Sequence, residues 1–206
     1  MSVQDTPLSG QVAIVTGAGS GAGATVARAL AAAGASVCVC DLNPDRAHRG
    51  AEEIVATGGE AFDRQADISN RFQTAALIEA VRDRYERLTV LVHNAHVRPR
   101  VPALKMDEWE WRRTIEVNLT GAFFCAQLAG RVMSDEDGGA IFFLIEPIGQ
   151  ATGEPGQAAY AATQSALMGL ASALDVELRE QGVRVRAIPI WSPEHAAGEV
   201  LTLLKK

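Results

Sequence analysis

Gln11-Val12-Ala13-Ile14-Val15-Thr16 runs directly into Gly17-Ala18-Gly19-Ser20-Gly21-Ala22-Gly23, and that turn runs into the alanine-rich stretch Ala24 to Ala33. Gln11 to Thr16 is short, apolar and rich in β-branched residues, which is the pattern of a strand buried on both faces. Ala24 to Ala33 has helical composition, and Gly34 supplies a stop. The glycines between them permit a tight turn and let a ligand's phosphates approach the backbone. The helix that follows offers free N–H groups and the positive end of its dipole to that anion. A glycine cluster alone is weak evidence, but in this strand–turn–helix setting it points to a dinucleotide cradle. Gly17, Gly19, Ser20, Gly21 and Gly23 are its candidate binding residues.

The same alternation continues outward. Ser36 to Asp41 reads as a second strand, and Pro44 opens a helix that runs to Ala56 before Gly58-Gly59. Glu60 to Asp67 reads as a third strand, with Ser69 as the cap of a helix through Tyr85. Leu88 to Val92 is a fourth strand, and a long helical tract runs from Met106 to Met133. Ile141 to Ile145, the helix Tyr160 to Gln181, the strand Val183 to Ile190 and a last helix, Pro193 to Leu204, complete the order. Regular strand–helix alternation demands a parallel sheet covered by helices on both faces. The expectation is one α/β domain over residues 1–206, a doubly wound sheet of about six strands, with no repeat or linker.

Composition agrees. The chain has 206 residues, 48% hydrophobic and 21% charged, which excludes disordered and fibrous classes. A net charge of −6 leaves no basic footprint for nucleic acid. No apolar run approaches the ~18 residues needed to cross a membrane. Met1 to Gly10 lacks the basic and apolar regions of a signal peptide. The three cysteines, Cys38, Cys40 and Cys125, sit in apolar strand and helix patterns and read as reduced packing thiols of a cytoplasmic protein. No spacing suggests a metal site.

Asp41 ends the second strand, 18 residues after Gly23. A carboxylate there accepts hydrogen bonds from the adenosine ribose and repels a 2′-phosphate, so NAD is favoured over NADP. No Arg or Lys lies within Gly17 to Gly23 to attract that phosphate. Asp67, after the third strand, is placed either to bond the adenine amino group or to cap the next helix.

The run Thr16 to Gly23, spaced TGxxxGxG, resembles the short-chain dehydrogenase/reductase family of Rossmann-type proteins. Asp41 and Asp67-Ile68 match that family's cofactor-binding acids, and His93-Asn94-Ala95-His96 stands where the family shows Asn-Asn-Ala-Gly. Asn118 matches the helix asparagine of its catalytic tetrad, and Gly156-Gln157-Ala158-Ala159-Tyr160 matches the run into its tyrosine. The resemblance implies a tyrosine that exchanges a proton with an alcohol or carbonyl oxygen. It also implies a serine that polarises this oxygen, a lysine that lowers the tyrosine pKa, and an asparagine that supports a water relay.

Two of the four positions depart from that pattern. Four residues past Tyr160 stands Gln164 in place of lysine, and thirteen before it stands Pro147 in place of serine, next to Glu146. A lysine charge ~5 Å away at an effective dielectric of ~20 is worth roughly 3 kcal/mol, or about two pKa units. Without it Tyr160 is expected to stay near its ordinary pKa of about 10. An oxyanion donor such as the serine is worth about 10²–10³ in rate. Gln164 keeps the option of bonding a ribose hydroxyl. Pro189-Ile190-Trp191-Ser192-Pro193 follows the last strand without the family's Pro-Gly turn and lid, so the expectation is a domain truncated at the lid and at the final strand.

These departures give three readings. The first is an NAD(H)-binding, non-catalytic subunit that pairs with a full-length homologue, as a homo- or hetero-oligomer through the long helices Asp107 to Met133 and Tyr160 to Gln181. The second is a weakly active NAD-dependent alcohol or ketone oxidoreductase that uses Tyr160 and Asn118. The third is an interaction protein that senses NAD(H). His93 and His96 read as loop or packing residues.

Overall fold

A computed structural model describes residues 6–147 and 154–205. The first five residues, on which the leader expectation partly rests, lie outside it. Six parallel strands form one sheet in the order β3-β2-β1-β4-β5-β6: β1 Val12–Thr16, β2 Ser36–Asp41, β3 Glu60–Gln65, β4 Val90–His93, β5 Gly139–Ile145 and β6 Val183–Pro189. The helices are α1 Gly21–Ala32, α2 Pro44–Ala56, α3 Arg71–Tyr85, α4 Glu108–Ile115, α5 Gly121–Asp135, α6 Ala158–Leu178 and α7 Pro193–Leu204. The expected doubly wound sheet is present.

Strand alternation explains the two layers of core. In β5, Ile141, Phe143 and Ile145 face one layer with α3, α5 and α6, while Ala140, Phe142 and Leu144 face the other with α1 and α7. Every residue of β1 is buried, as an unbroken apolar central strand should be. All three cysteines are free and buried.

Several boundaries differ from the sequence expectation. β3 ends at Gln65, so Asp67 lies beyond the strand. The cap of α3 is Asn70, whose side chain accepts the N–H groups of Phe72 and Gln73; Ser69 bonds Asp67 instead. The chain turns one residue later than expected because Ser69 is held back by that carboxylate. β4 begins at Val90 rather than Leu88. The Met106 to Met133 tract is not one uniform helix. A π-helical turn, Glu116–Thr120, separates α4 from α5 and carries Asn118. Such wide turns favour sites where a side chain must reach out of the helix ladder.

β6 is an edge strand, and its blocking device was only half legible. Arg184, Arg186 and Pro189 of β6 discourage pairing with a further strand. The structure adds Asp175 of α6, whose buried carboxylate accepts the Val185 N–H at 2.9 Å and pairs with Arg186 and Arg179. Burial raises the Asp175 pKa, but Arg186, the Val185 N–H and Arg179 outweigh it and hold the carboxyl well below the usual range. This stabilisation is full above the ordinary carboxylate range and is lost as pH falls through the depressed folded-state pKa. Asp175→Ala leaves Arg186 and the Val185 N–H without that partner. It is expected to cost about 3 kcal/mol in chemical denaturation and to increase light scattering from edge association.

Candidate functional site

The carboxyl ends of β1, β2 and β4 open onto a cleft of about 480 Å³. It sits where the strand order reverses from β1 to β4, the place at which open α/β sheets bind ligands. Gly17, Ser20, Gly21, Asp41, Asp67, Ile68 and Asn94, all candidates from the sequence, line it. Gly19 and Gly23 stand behind the lining and shape the turn.

Two glycines show why the turn needs them. A Cβ on Gly23 would come within 2.4 Å of the Gly17 carbonyl oxygen and 2.7 Å of Asn94 Nδ2, so α1 packs against the turn only without a side chain. Gly21 has φ +59° and nothing within 4 Å of its Cβ position, so the backbone there is open to a ligand. Ser20, the N-cap of α1, makes no side-chain cap bond, and no acid lies in the first turn. The free N–H groups and dipole of α1 therefore face the cleft, a fit for a pyrophosphate. Thr16 ties the two central loops together. Its Oγ1 accepts the N–H groups of Asn94 (3.1 Å) and Ala95 (3.2 Å), while Asn94 Nδ2 donates to the Gly17 carbonyl at 3.0 Å.

Both cleft acids have arginine partners that the sequence reading missed. Asp41 Oδ2 accepts the Gly19 N–H at 3.1 Å, and Oδ1 accepts the Asn43 N–H at 2.9 Å and Arg46 Nη2 at 3.1 Å. The statement that no basic residue lies in the glycine turn holds, but Arg46 reaches the same place from the first turn of α2. Its signal was the Asn43-Pro44 helix start, which puts residue 46 next to the end of β2. Asp67 accepts the Ser69 N–H and hydroxyl and lies 3.6 Å from Arg113 of α4. Burial works to raise its pKa, but Ser69 and Arg113 win and lower it.

Tyr160 and Asn118 do not line this cleft. Tyr160 is 3% exposed beneath the loop that follows β4. The His96 ring is tilted against it at 5.6 Å, and the Arg98 guanidinium lies 4.8 Å from its ring centre. Arg98 is itself fixed, with Nε donating to Gln157 at 2.9 Å and Nη1 pairing with Glu146 at 2.9 Å. Glu146, through its pairing with Arg98, is held close to Tyr160. Burial first, then the charge and hydrogen bonding of Glu146, push the phenol pKa well above its ordinary value, with Arg98 opposing. This corrects the expectation of an unshifted tyrosine: losing the lysine is compounded by gaining a carboxylate.

Gln164 also departs from expectation. Its Oε1 accepts the Glu146 N–H at 2.8 Å, so the carboxamide braces the end of β5 instead of presenting itself to a ribose. Asn118 accepts the Val97 N–H at 2.8 Å and donates to the Val97 carbonyl at 2.9 Å and to Thr163 at 3.1 Å. It braces the loop over the cleft. Pro147 has neither a hydroxyl nor an N–H to offer. His93 is buried, contacts Thr16 Oγ1 at 3.2 Å through Nδ1, and is held down to a pKa of about 3 by burial. Among the described residues no three His, Cys, Asp or Glu side chains are grouped to hold a metal, and no helix is long and apolar enough to cross a membrane.

The family model for short chain dehydrogenase matches residues 11–190. A 3-oxoacyl-[acyl-carrier-protein] reductase of Synechocystis is 36% identical over 187 residues, 89% of this chain and 74% of that protein. A reductase of the same name from Staphylococcus aureus is 37% identical over 144 residues, and the match spans 70% of this chain but only 58% of that one. The crystal structure of a metagenomic short-chain oxidoreductase in complex with NADP superposes with a TM-score of 0.91 at 33% identity, covering 98% of this chain and 93% of the other. A short chain dehydrogenase from Mycobacterium smegmatis superposes with a TM-score of 0.90 at 28% identity, covering 97% and 87%.

Proposed function

The chain belongs to the short-chain dehydrogenase family, and from that premise we propose that it binds NAD(H) while its own tyrosine route for proton transfer is closed. On this reading it works as a non-catalytic subunit beside a complete relative. One observation carries the reading: Tyr160 is buried, Gln164 stands where the family pattern calls for an ammonium, and the cation near the phenol, Arg98, is paired with Glu146, so burial and Glu146 outweigh it and raise the phenol pKa. A tyrosine with a raised pKa is a poor base at neutral pH, and a tyrosinate formed beside a carboxylate is a poor state to pass through. The uncapped start of α1, the Gly17 to Gly23 turn and Asp41 support retained nucleotide binding. Exposed Phe123 of α5 and Met168 and Val176 of α6 suit a partner laid along those helices, and the buried free cysteines suit a cytoplasmic setting. Isolation from the native source tests the partnership. A family relative held in constant ratio supports it, and a chain always recovered alone overturns it.

The choice between NAD and NADP turns on Asp41 against Arg46. Asp41 favours a free 2′-hydroxyl, and Arg46 is tied to it rather than presented alone. NADH is expected to bind at least tenfold more tightly than NADPH. In calorimetric titration, Asp41→Asn should narrow that gap about tenfold, and Arg46→Ala should weaken NADPH alone. Equal loss of both nucleotides on Arg46→Ala would contradict this assignment.

A second reading has one residue in its favour: Glu146, which influences the Tyr160 phenol, could resupply the proton that Tyr160 gives to a ketone oxygen as the carbonyl carbon takes hydride from the reduced dinucleotide. The chain would then be a slow oxidoreductase, with 3-oxoacyl thioesters as the substrate class suggested by the Synechocystis and Staphylococcus relatives. Turnover abolished by Tyr160→Phe would establish it, and turnover indifferent to that change would reject it.

A further inference from the structure

The sheet has a second cavity at its other end, about 240 Å³ in volume. It lies where the chain enters the strands: Gln11, Thr89, Gly138 and Gly182 stand immediately before β1, β4, β5 and β6. It shares no residue with the cleft at the carboxyl ends. Its volume is below the ~300–1,000 Å³ of a pocket for a drug-sized molecule, so a small ligand suits it. Glycines bring backbone to its wall. The Gly139 N–H donates to the Gly182 carbonyl at 3.1 Å, and a Cβ on Gly138 would stand 2.5 Å from that same oxygen.

Two arginines line the cavity. Arg87 follows Glu86, the left-handed cap of α3, and its Nε is buried without a hydrogen-bond partner among the described residues. Arg184 of β6 uses one N–H, on Nη1, to reach the Leu203 carbonyl at the end of α7, at 3.2 Å. Neither guanidinium pairs with a carboxylate of the described residues. A buried donor without an acceptor is costly, and a guanidinium keeps its charge at every pH the protein meets. Asp137 is the acid at this cavity, and it is exposed. Two guanidinium groups against one solvated carboxylate leave the cavity net positive, in a chain whose net charge is −6.

We infer that this cavity is a binding site for a small oxyanion of the phosphate class, held between the guanidinium groups of Arg87 and Arg184. Planar guanidinium forks match the oxygen pairs of such an anion, and the Arg87 Nε gains its missing acceptor. The Gln11 carboxamide lines the same cavity and adds a neutral donor. The bound anion ties the segments before β1, β4 and β6 to one another, so it stabilises the folded chain.

The test titrates the intact chain with inorganic phosphate, by calorimetry and by thermal melting, with sodium chloride holding the ionic strength constant. Wild type, Arg87→Gln, Arg184→Gln and Gly21→Asp are compared. Gly21→Asp sets a carboxylate at the start of α1 and so removes any phosphate held at the glycine turn. The wild type should bind phosphate at about 1 mM, and about 20 mM phosphate should raise the thermal midpoint by about 3–6 °C. Arg87→Gln and Arg184→Gln should each weaken phosphate by about fivefold or more, while Gly21→Asp keeps this binding within about twofold of wild type. Arg184→Gln also gives up the bond to Leu203; if it does not fold, Arg87→Gln decides alone. No phosphate binding in the wild type, full binding in Arg87→Gln, loss in Gly21→Asp alone, or a midpoint shift that sodium chloride reproduces overturns the inference.

Discussion

Gly23→Val is expected to lower NADH affinity more than a hundredfold. The Cβ alone would stand 2.4 Å from the Gly17 carbonyl oxygen, and that carbonyl is backbone already bonded by Asn94. The turn has to open, and with it the aim of the α1 N–H groups. Because such a change can also disturb folding, Gly21→Asp is the companion variant. The Cβ position of Gly21 meets nothing within 4 Å, and aspartate tolerates a left-handed backbone better than most residues. The fold should survive, with a thermal midpoint close to the wild type, while the new carboxylate at the helix start repels a pyrophosphate. Calorimetry should show binding lost in both variants. Undiminished affinity in Gly21→Asp would mean that the ligand does not lie over the start of α1.

The second large effect concerns the ionisation of Tyr160. In the wild type, ultraviolet titration should show no Tyr160 phenolate through about pH 11, because burial and Glu146 both oppose it. The double variant Glu146→Gln, Gln164→Lys removes one negative charge and adds one positive charge. Each change is worth on the order of two pKa units at ~5 Å and an effective dielectric of ~20. The phenolate should then form at least two units earlier. The chain has two tyrosines, so the Tyr160→Phe difference spectrum isolates this phenol from Tyr85. An onset that does not move would show that Glu146 and position 164 do not govern the proton. Adding Pro147→Ser restores the missing donor. If that triple variant ionises as expected but still transfers no hydride, something other than these three positions limits the reaction.

What was legible in the chain follows from range. The glycine turn, its strand and its helix are contiguous, so the local pattern of Gln11 to Ala33 was sufficient. Asp41 followed from its position at a strand end. Arg46 is five residues from Asp41 yet was not legible, because it belongs to α2 and not to the glycine turn where the family pattern places phosphate-binding cations. The contact of Arg98 with Glu146 joins residues 48 apart, and Gln164 reaches Glu146 across 18. No spacing rule predicts those meetings. They arise because the loop after β4 folds over the end of β5 and the start of α6, which the strand order alone determines. Two such contacts are made by residues at family positions: Gln164 holds the backbone of β5, and Asn118 holds Val97. The π-helical turn at Asn118 and the Asp175 clasp on β6 belong to the same class, visible only once the elements are packed.

The most direct measurement loads the purified chain with NADH, confirms saturation by calorimetry, and then follows nicotinamide absorbance after 3-oxoacyl thioesters and simple ketones are added. Saturable binding with no absorbance change above the Tyr160→Phe control is the result expected of a cradle whose tyrosine is held protonated. Rapid NADH consumption that Tyr160→Phe abolishes would contradict it.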